Sequence, residues 1–164
     1  MLATTNKDLS IFSGKVRVRA CGLLDQDGSI LLIKHNSIGL KGHLWSPPGG
    51  GVDFGESADE TLKREFLEET GLNIEVLDFL FVFELINSKH HAVELFYRVK
   101  KLDGELKLGA DPEFEASNQI MEEISFLSYD EISRMDSNVL HGIFSKVKEP
   151  EMVFGLSGLF SFKH

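Results

Sequence analysis

Apolar residues dominate Val16 to Leu24 and again Ile30 to His35, with the turn-rich DQDGS (Asp25 to Ser29) between them, and this pattern predicts two strands joined as a hairpin. A glycine-containing loop then passes through Trp45 to Pro47-Pro48-Gly49-Gly50-Gly51, where glycines let the backbone approach a ligand closely. The period changes after that turn. Ala58, Leu62 and Phe66 recur at helical spacing, Ser57 with Glu60 forms a capping box, and Gly71 is the left-handed residue that commonly follows a helix, so a helix is predicted over about Ala58 to Thr70. The Phe- and Val-rich runs Leu77 to Glu84 and Ala92 to Lys100 read as strands joined by the polar loop Ile86 to His91. An irregular acidic stretch, Gly109 to Gln119, precedes a short strand near Ile124 to Leu127 and helical signals at Asp130 to Met135 and Val139 to Val147. Strands interleaved with helices, without internal repeats or low-complexity tracts, place the chain in the α/β class.

The last residues, EPEMVFGLSGLFSFKH, carry Val153, Phe154, Leu156, Leu159 and Phe160, too many apolar side chains for a solvated end. They are expected to pack on the domain or on a second subunit, with closure of the domain preferred. The expected organisation is an N-terminal extension over 1–14, one domain over 15–148 and this tail over 149–164. A chain of 164 residues suits a single domain with a substantial core.

The formal charge of −9 disfavours binding to a nucleic acid polymer or to an anionic membrane, because both need a basic surface. An acidic chain still binds phosphates where metal ions supply the local positive potential. Cys21 is the one cysteine, so no internal disulfide forms, and its apolar strand makes it a buried thiol before a nucleophile. A soluble protein of the reducing cytoplasm is the expectation, since no leader-like or membrane-length apolar run is present.

Glu65, Glu68 and Glu69 stand at i, i+3 and i+4, so their carboxylates leave one helical face as an overlapping row. Such a row repels itself, and hard divalent cations prefer carboxylate oxygens. Bound Mg²⁺ or Mn²⁺ explains it; a solvated acidic face is the plain alternative. The apolar stripe flanks the row instead of opposing it, which puts the acids at the edge of the buried face, where they line a cleft.

These residues resemble the Nudix (MutT-like) hydrolases, whose signature is Gly, five residues, Glu, seven residues, Arg-Glu, a bulky apolar residue, any residue, Glu-Glu, any residue, Gly and another bulky apolar residue. Gly50, Glu56, Arg64, Glu65, Phe66, Glu68, Glu69, Gly71 and Leu72 fill every specified position. The resemblance implies an α/β/α sandwich, a mixed curved sheet between helices, and hydrolysis of the pyrophosphate bond in a nucleoside diphosphate linked to another moiety. It implies Glu65, Glu68 and Glu69 as metal ligands with the Gly49 carbonyl beside them, and Glu56 and Arg64 as supporting groups that orient the acids. Glu115 and then Glu113 are its candidates for a general base or further ligand, each standing against ordinary solvated loop charge.

Substrate contacts fall by the same resemblance on Lys34 and His35, where a family arginine is common in place of the histidine, and on His90 in the Ile86 to His91 loop. Arg17 and Arg19 leave one face of their strand, a face turned either to substrate or to solvent. Asn138 is either a two-way partner for a base or a turn residue. Trp45 is either a stacking platform or a core anchor under the glycine turn, with the core reading preferred. Adjacent His90 and His91 point to opposite faces and no thiolates accompany them, so a zinc site is discounted. The downstream proline and tyrosine associated with ADP-ribose and dinucleoside polyphosphate substrates are absent, as is the coenzyme A pattern. Nucleoside triphosphates, oxidised ones included, and nucleotide sugars stay open, with triphosphates preferred. A homodimer is an open possibility, and a nucleotide-sensing module without turnover is the alternative in another class.

Overall fold

A computed structural model describes residues 14–88, 90–110, 115 and 118–163. Strand β1 (Val16–Gln26) turns through Asp27 and Gly28, with φ of 52° and 77°, into β2 (Ser29–Asn36). Two consecutive left-handed residues give the twist a tight hairpin needs, which is why the Asp-Gly pair stands there. The hairpin is short, registering only Asp25 with Ile30 and Gln26 with Ser29. Beyond it β2 departs to pair with β3 (His43–Ser46) and, antiparallel, with β7 (Met121–Ser128). That departure frees one edge of β1, and the glycine strand β4 (Gly49–Gly51) occupies it opposite Arg19 to Cys21. The other edge of β1 runs parallel to β6 (His91–Gly104) from Val16↔His91 to Leu24↔Val99. Strand β5 (Leu72–Ile86) pairs antiparallel with β6, and β8 (Gly158–Lys163) runs parallel to β5 from Phe81 to Ile86. The main path is β3-β2-β1-β6-β5-β8, a mixed sheet.

Helix α1 (Ala58–Thr70) has the bounds the capping box and Gly71 predict. Ser57 accepts from the Glu60 backbone while the Glu60 carboxylate accepts from the Ser57 backbone, and Gly71, at φ 72°, donates to the Leu67 carbonyl at 3.0 Å. Leu62 and Phe66 are fully buried against Ala20, Leu24, Leu31, Ile74 and Val99. Each such side chain contributes about 1.5–3 kcal/mol relative to exposure. A Cβ at position 22 would lie 2.5 Å from the Phe66 ring, so glycine in β1 is what lets the helix settle this close.

The opposite face of the sheet buries Leu23, Phe81, Phe83 and Phe96 under α2 (Tyr129–Arg134) and the 3-10 turns Ser137–Val139, Gly142–Lys146 and Pro150–Gly155. Phe81 and Phe96 stack at 4.8 Å between centroids. The two covering layers are therefore unequal, one long helix against short turns. The helical signal at Val139 to Val147 forms no α-helix. Leu140 bridges to Trp45 and His141 donates its backbone N–H to the Trp45 carbonyl at 2.8 Å, so that backbone satisfies itself across to β3. The strands predicted after α1 are longer than their apolar cores, because β5 and β6 continue pairing as far as Leu72↔Gly104. Among the described residues no helix is long and apolar enough to cross a membrane.

Candidate active site

The glycine turn is shaped by what presses on it from both sides. Gly49 has φ 152°, and a Cβ there would lie 2.2 Å from the Ala20 carbonyl oxygen; a Cβ at Gly50 would lie 2.1 Å from Glu65 Oε1. Glycine at both positions lets β4 lie between β1 and the acidic face of α1. The Gly49 N–H donates to Glu69 Oε2 at 3.0 Å, and the Gly49 carbonyl accepts from Arg19 Nη2 at 3.0 Å.

Arg64 gathers the acids. Its Nε and Nη2 meet Glu56 Oε1 and Oε2, each at 2.9 Å, while Nη1 donates to Glu65 Oε1 at 2.7 Å and to Glu68 Oε2 at 3.3 Å. Its Nη2 also reaches the Gly51 carbonyl at 3.3 Å. The bidentate bond from Arg64, with a further one from Thr61 Oγ1, holds the Glu56 carboxyl at about 2, well below the usual carboxylate range. Glu65 is displaced the other way, because burial raises its carboxyl against the partial relief Arg64 provides. Glu65 and Glu69 are buried and Glu68 is half-buried, so the row lies at the edge of the core.

These residues fit a hard divalent ion by donor chemistry: carboxylate oxygens beside a backbone carbonyl, no thiolate, and a buried Glu65 whose charge is incompletely compensated. Among the described residues no three acidic, thiol or imidazole side chains converge on one point, since Arg64 takes Glu65 and Glu68 and the Gly49 amide takes Glu69.

The other expected residues divide. Arg17 and Arg19 are half-buried, whereas Val16 and Val18 on the other face are 62% and 45% exposed, so the arginine face is the more enclosed of the two. Lys34 is bound to Glu122 at 2.8 Å. His35 lies 3.3 Å from Ser46 Oγ through its Nδ1, and burial, aided by the Arg19 charge, lowers its imidazole to about 4, so it is neutral at ordinary pH. His90 donates its backbone N–H to Asn87 Oδ1 in the β5–β6 loop, and Asn138 is exposed on a 3-10 turn capped by Asp136. Glu115 is exposed and its carbonyl accepts from Asn118; Glu113 lies outside the described residues. Trp45 is buried in the core.

Two residues escaped sequence reasoning. Glu94 lies opposite Arg19 across β1 and β6, with its Oε1 3.4 Å from Arg19 Nε, and its Oε2 meets His141 Nε2 at 2.8 Å. The available signal was a carboxylate in phase with Phe96 on the inward face of an otherwise apolar strand.

A mixed sheet with a glycine turn laid against a long helix defines a Nudix-type fold. A family model described as NUDIX domain matches residues 14–144, and the chain belongs to that family. It is 36% identical over 92 residues to an ADP-ribose pyrophosphatase of Methanocaldococcus jannaschii, a match covering 55% of this chain and 54% of that protein. It is 41% identical over 56 residues to the nucleoside triphosphatase NudI of Escherichia coli, covering 34% and 40% respectively. The chain thus spans about half or less of the length of the curated relatives it matches. The crystal structure of a MutT NUDIX hydrolase from Burkholderia pseudomallei superposes with a TM-score of 0.60 at 28% identity, covering 71% of this chain and 86% of that one.

Proposed function

We propose that the chain is a divalent-metal-dependent hydrolase that cleaves the pyrophosphate bond of a nucleoside diphosphate linked to another moiety, with nucleoside triphosphates, oxidised ones included, as its preferred substrates. The observation that carries this reading is the Arg64 node, in which one guanidinium binds Glu56, Glu65 and Glu68 beside a glycine turn that Glu69 holds by its amide. Glu65, Glu68, Glu69 and the Gly49 carbonyl would hold Mg²⁺ or Mn²⁺, which when bound neutralises phosphate oxygens and lowers the pKa of a water. Arg64 orients the acids and keeps Glu56 ionised, and the Glu69 bond to Gly49 fixes the distance between helix and turn.

Glu115 and Glu113 are the candidates to accept a proton from water. Gly109, which donates to the Glu69 carbonyl at 2.8 Å, brings the start of their acidic stretch to the end of α1 that bears the row. Because Lys34 is committed to Glu122 and His35 is neutral, Arg19 is the cation favoured for substrate phosphate. His90 and Asn138 are the candidates for contacts to the base. A nucleotide sugar is the second reading, favoured by the relative named for ADP-ribose.

The test is a panel of nucleoside triphosphates, nucleotide sugars and dinucleotides incubated with Mg²⁺ or Mn²⁺, with products identified by mass. Diphosphate cleavage that stops on chelation is the expected result. An enzyme preparation that consumes none of the panel with either ion refutes the hydrolase and leaves the sensing module.

A further inference from the structure

The half-buried Arg19 and the buried Glu94 and His141 form a chain beside the glycine turn, and we propose that Glu94 and His141 are positioning residues that fix the Arg19 guanidinium so that its exposed part faces the diphosphate of the substrate. This rests on the hydrolase reading above. Topology assembles the chain: Arg19 registers with Glu94 on one side of β1 and with Gly51 on the other. One end is anchored where the Ile143 amide donates to His141 Nδ1 at 3.3 Å, which assigns the proton to Nε2 and aims it at Glu94. The other end is the Gly49 carbonyl, which accepts from Arg19 Nη2. The Glu94 and His141 side chains are each 9% exposed.

A buried carboxylate carries a desolvation cost that its partners must offset, so its presence calls for a reason beyond packing. Its stabilising partner is incompletely used. Arg19 Nε is buried without a hydrogen-bond partner, its 3.4 Å approach to Glu94 being an ion-pair contact outside hydrogen-bond geometry, and the side chain retains 27% exposure. The cross-strand pair His91–Glu84 is different, since Glu84 accepts from both His91 and Ser161. The buried Nε takes no part in binding; it is the exposed part of the guanidinium beside the turn that suits paired phosphate oxygens, to which a planar fork binds with fixed orientation. The Gly49 carbonyl ties that fork to the group proposed to hold the metal, which selects a diphosphate over an isolated carboxylate.

The experiment uses the full chain and the hydrolysis-resistant analogue α,β-methylene-ADP with Mg²⁺, followed by calorimetry, with Mn²⁺ affinity measured separately by electron paramagnetic resonance. Arg19→Lys and Glu94→Gln are each expected to weaken the analogue by about tenfold or more, and the double variant to bind no worse than Arg19→Lys alone. Mn²⁺ affinity is expected to stay within about threefold of wild type, and the loss in kcat/KM to lie in KM. His141→Gln supplies a second route to the same result should Glu94→Gln fail to fold. Unchanged analogue binding in the folded variants, a parallel loss of Mn²⁺ affinity, or additive effects in the double variant would each overturn the assignment while wild-type turnover stands. A wild-type chain that binds neither Mn²⁺ nor the analogue overturns the hydrolase reading and this one together.

Discussion

Arg64 spends both arms of its guanidinium on carboxylates, so a single cation keeps three mutually repelling acids in place around the glycine turn. Glu69 is held by an amide instead, and that difference separates folding from chemistry. In Glu69→Gln the amide oxygen still accepts from Gly49 N–H while the charge is gone. Turnover is expected to fall about a hundredfold or more, roughly 2.7 kcal/mol of barrier, with the melting temperature nearly unchanged. Steady-state kinetics beside calorimetry decide it, and near-wild-type turnover would refute Glu69 as a ligand. His35 makes a pH prediction with a definite sign. Its imidazole ionises at about 4 in the folded protein against an ordinary 6.5, so between those values the unfolded chain holds a proton that the folded chain refuses. Its contribution is intact above about pH 6.5 and is lost as pH falls toward 4, with a slope of at most about 1.4 kcal/mol per pH unit. Urea denaturation at pH 7, 5.5 and 4.5 should show a shallower decline in His35→Gln than in wild type.

Helix α1 joins the glycine turn through Glu69, which accepts from the Gly49 amide, and Arg64, which donates to the Gly51 carbonyl. Gly50→Ala places a methyl group 2.1 Å from Glu65 Oε1, at the far end of a side chain that can turn aside. The expected result is a loss of activity above about tenfold with little change in melting, because the carboxylate moves and the packing does not. Ser57→Ala removes one half of the capping box and should cost about 1 kcal/mol of stability, measured by denaturant unfolding. These local determinants are why the helix was legible from sequence: Ser57 acts on Glu60 at one end, and Gly71 on Leu67 at the other, each within a few residues. The hairpin turn at Asp27-Gly28 was legible for the same reason. What escaped depends on partners far along the chain. The contacts of Arg19 lie on β4 and β6, the partnership of Glu94 with His141 spans β6 and a 3-10 turn, and the extended backbone at Leu140 is bridged to Trp45. No window of local sequence contains both members of any of these pairs.

At the scale of the whole molecule, the sheet's two coverings differ in strength, and the weaker one depends on the tail. The α1 side is sealed by one continuous helix, whereas Phe81, Phe83 and Phe96 are covered by short turns and by side chains from residues 150–163. Val153 is fully buried, the Phe160 ring meets Phe81 edge-on at 5.8 Å between centroids, and β8 satisfies the edge of β5 from Phe81 to Ile86. Deleting the residues after Pro150 therefore does two things at once: it uncovers apolar rings and it opens a strand edge able to pair with another chain. Losing the burial of Val153 and Phe160 alone is worth about 3–5 kcal/mol, which corresponds to a fall in melting temperature on the order of 10 °C for a chain of this size. The open edge directs the consequence toward self-association, so the truncated protein should melt lower by calorimetry and run as a dimer or larger by light scattering. An unchanged melting temperature together with an unchanged mass would mean that the tail lies on the sheet without holding it.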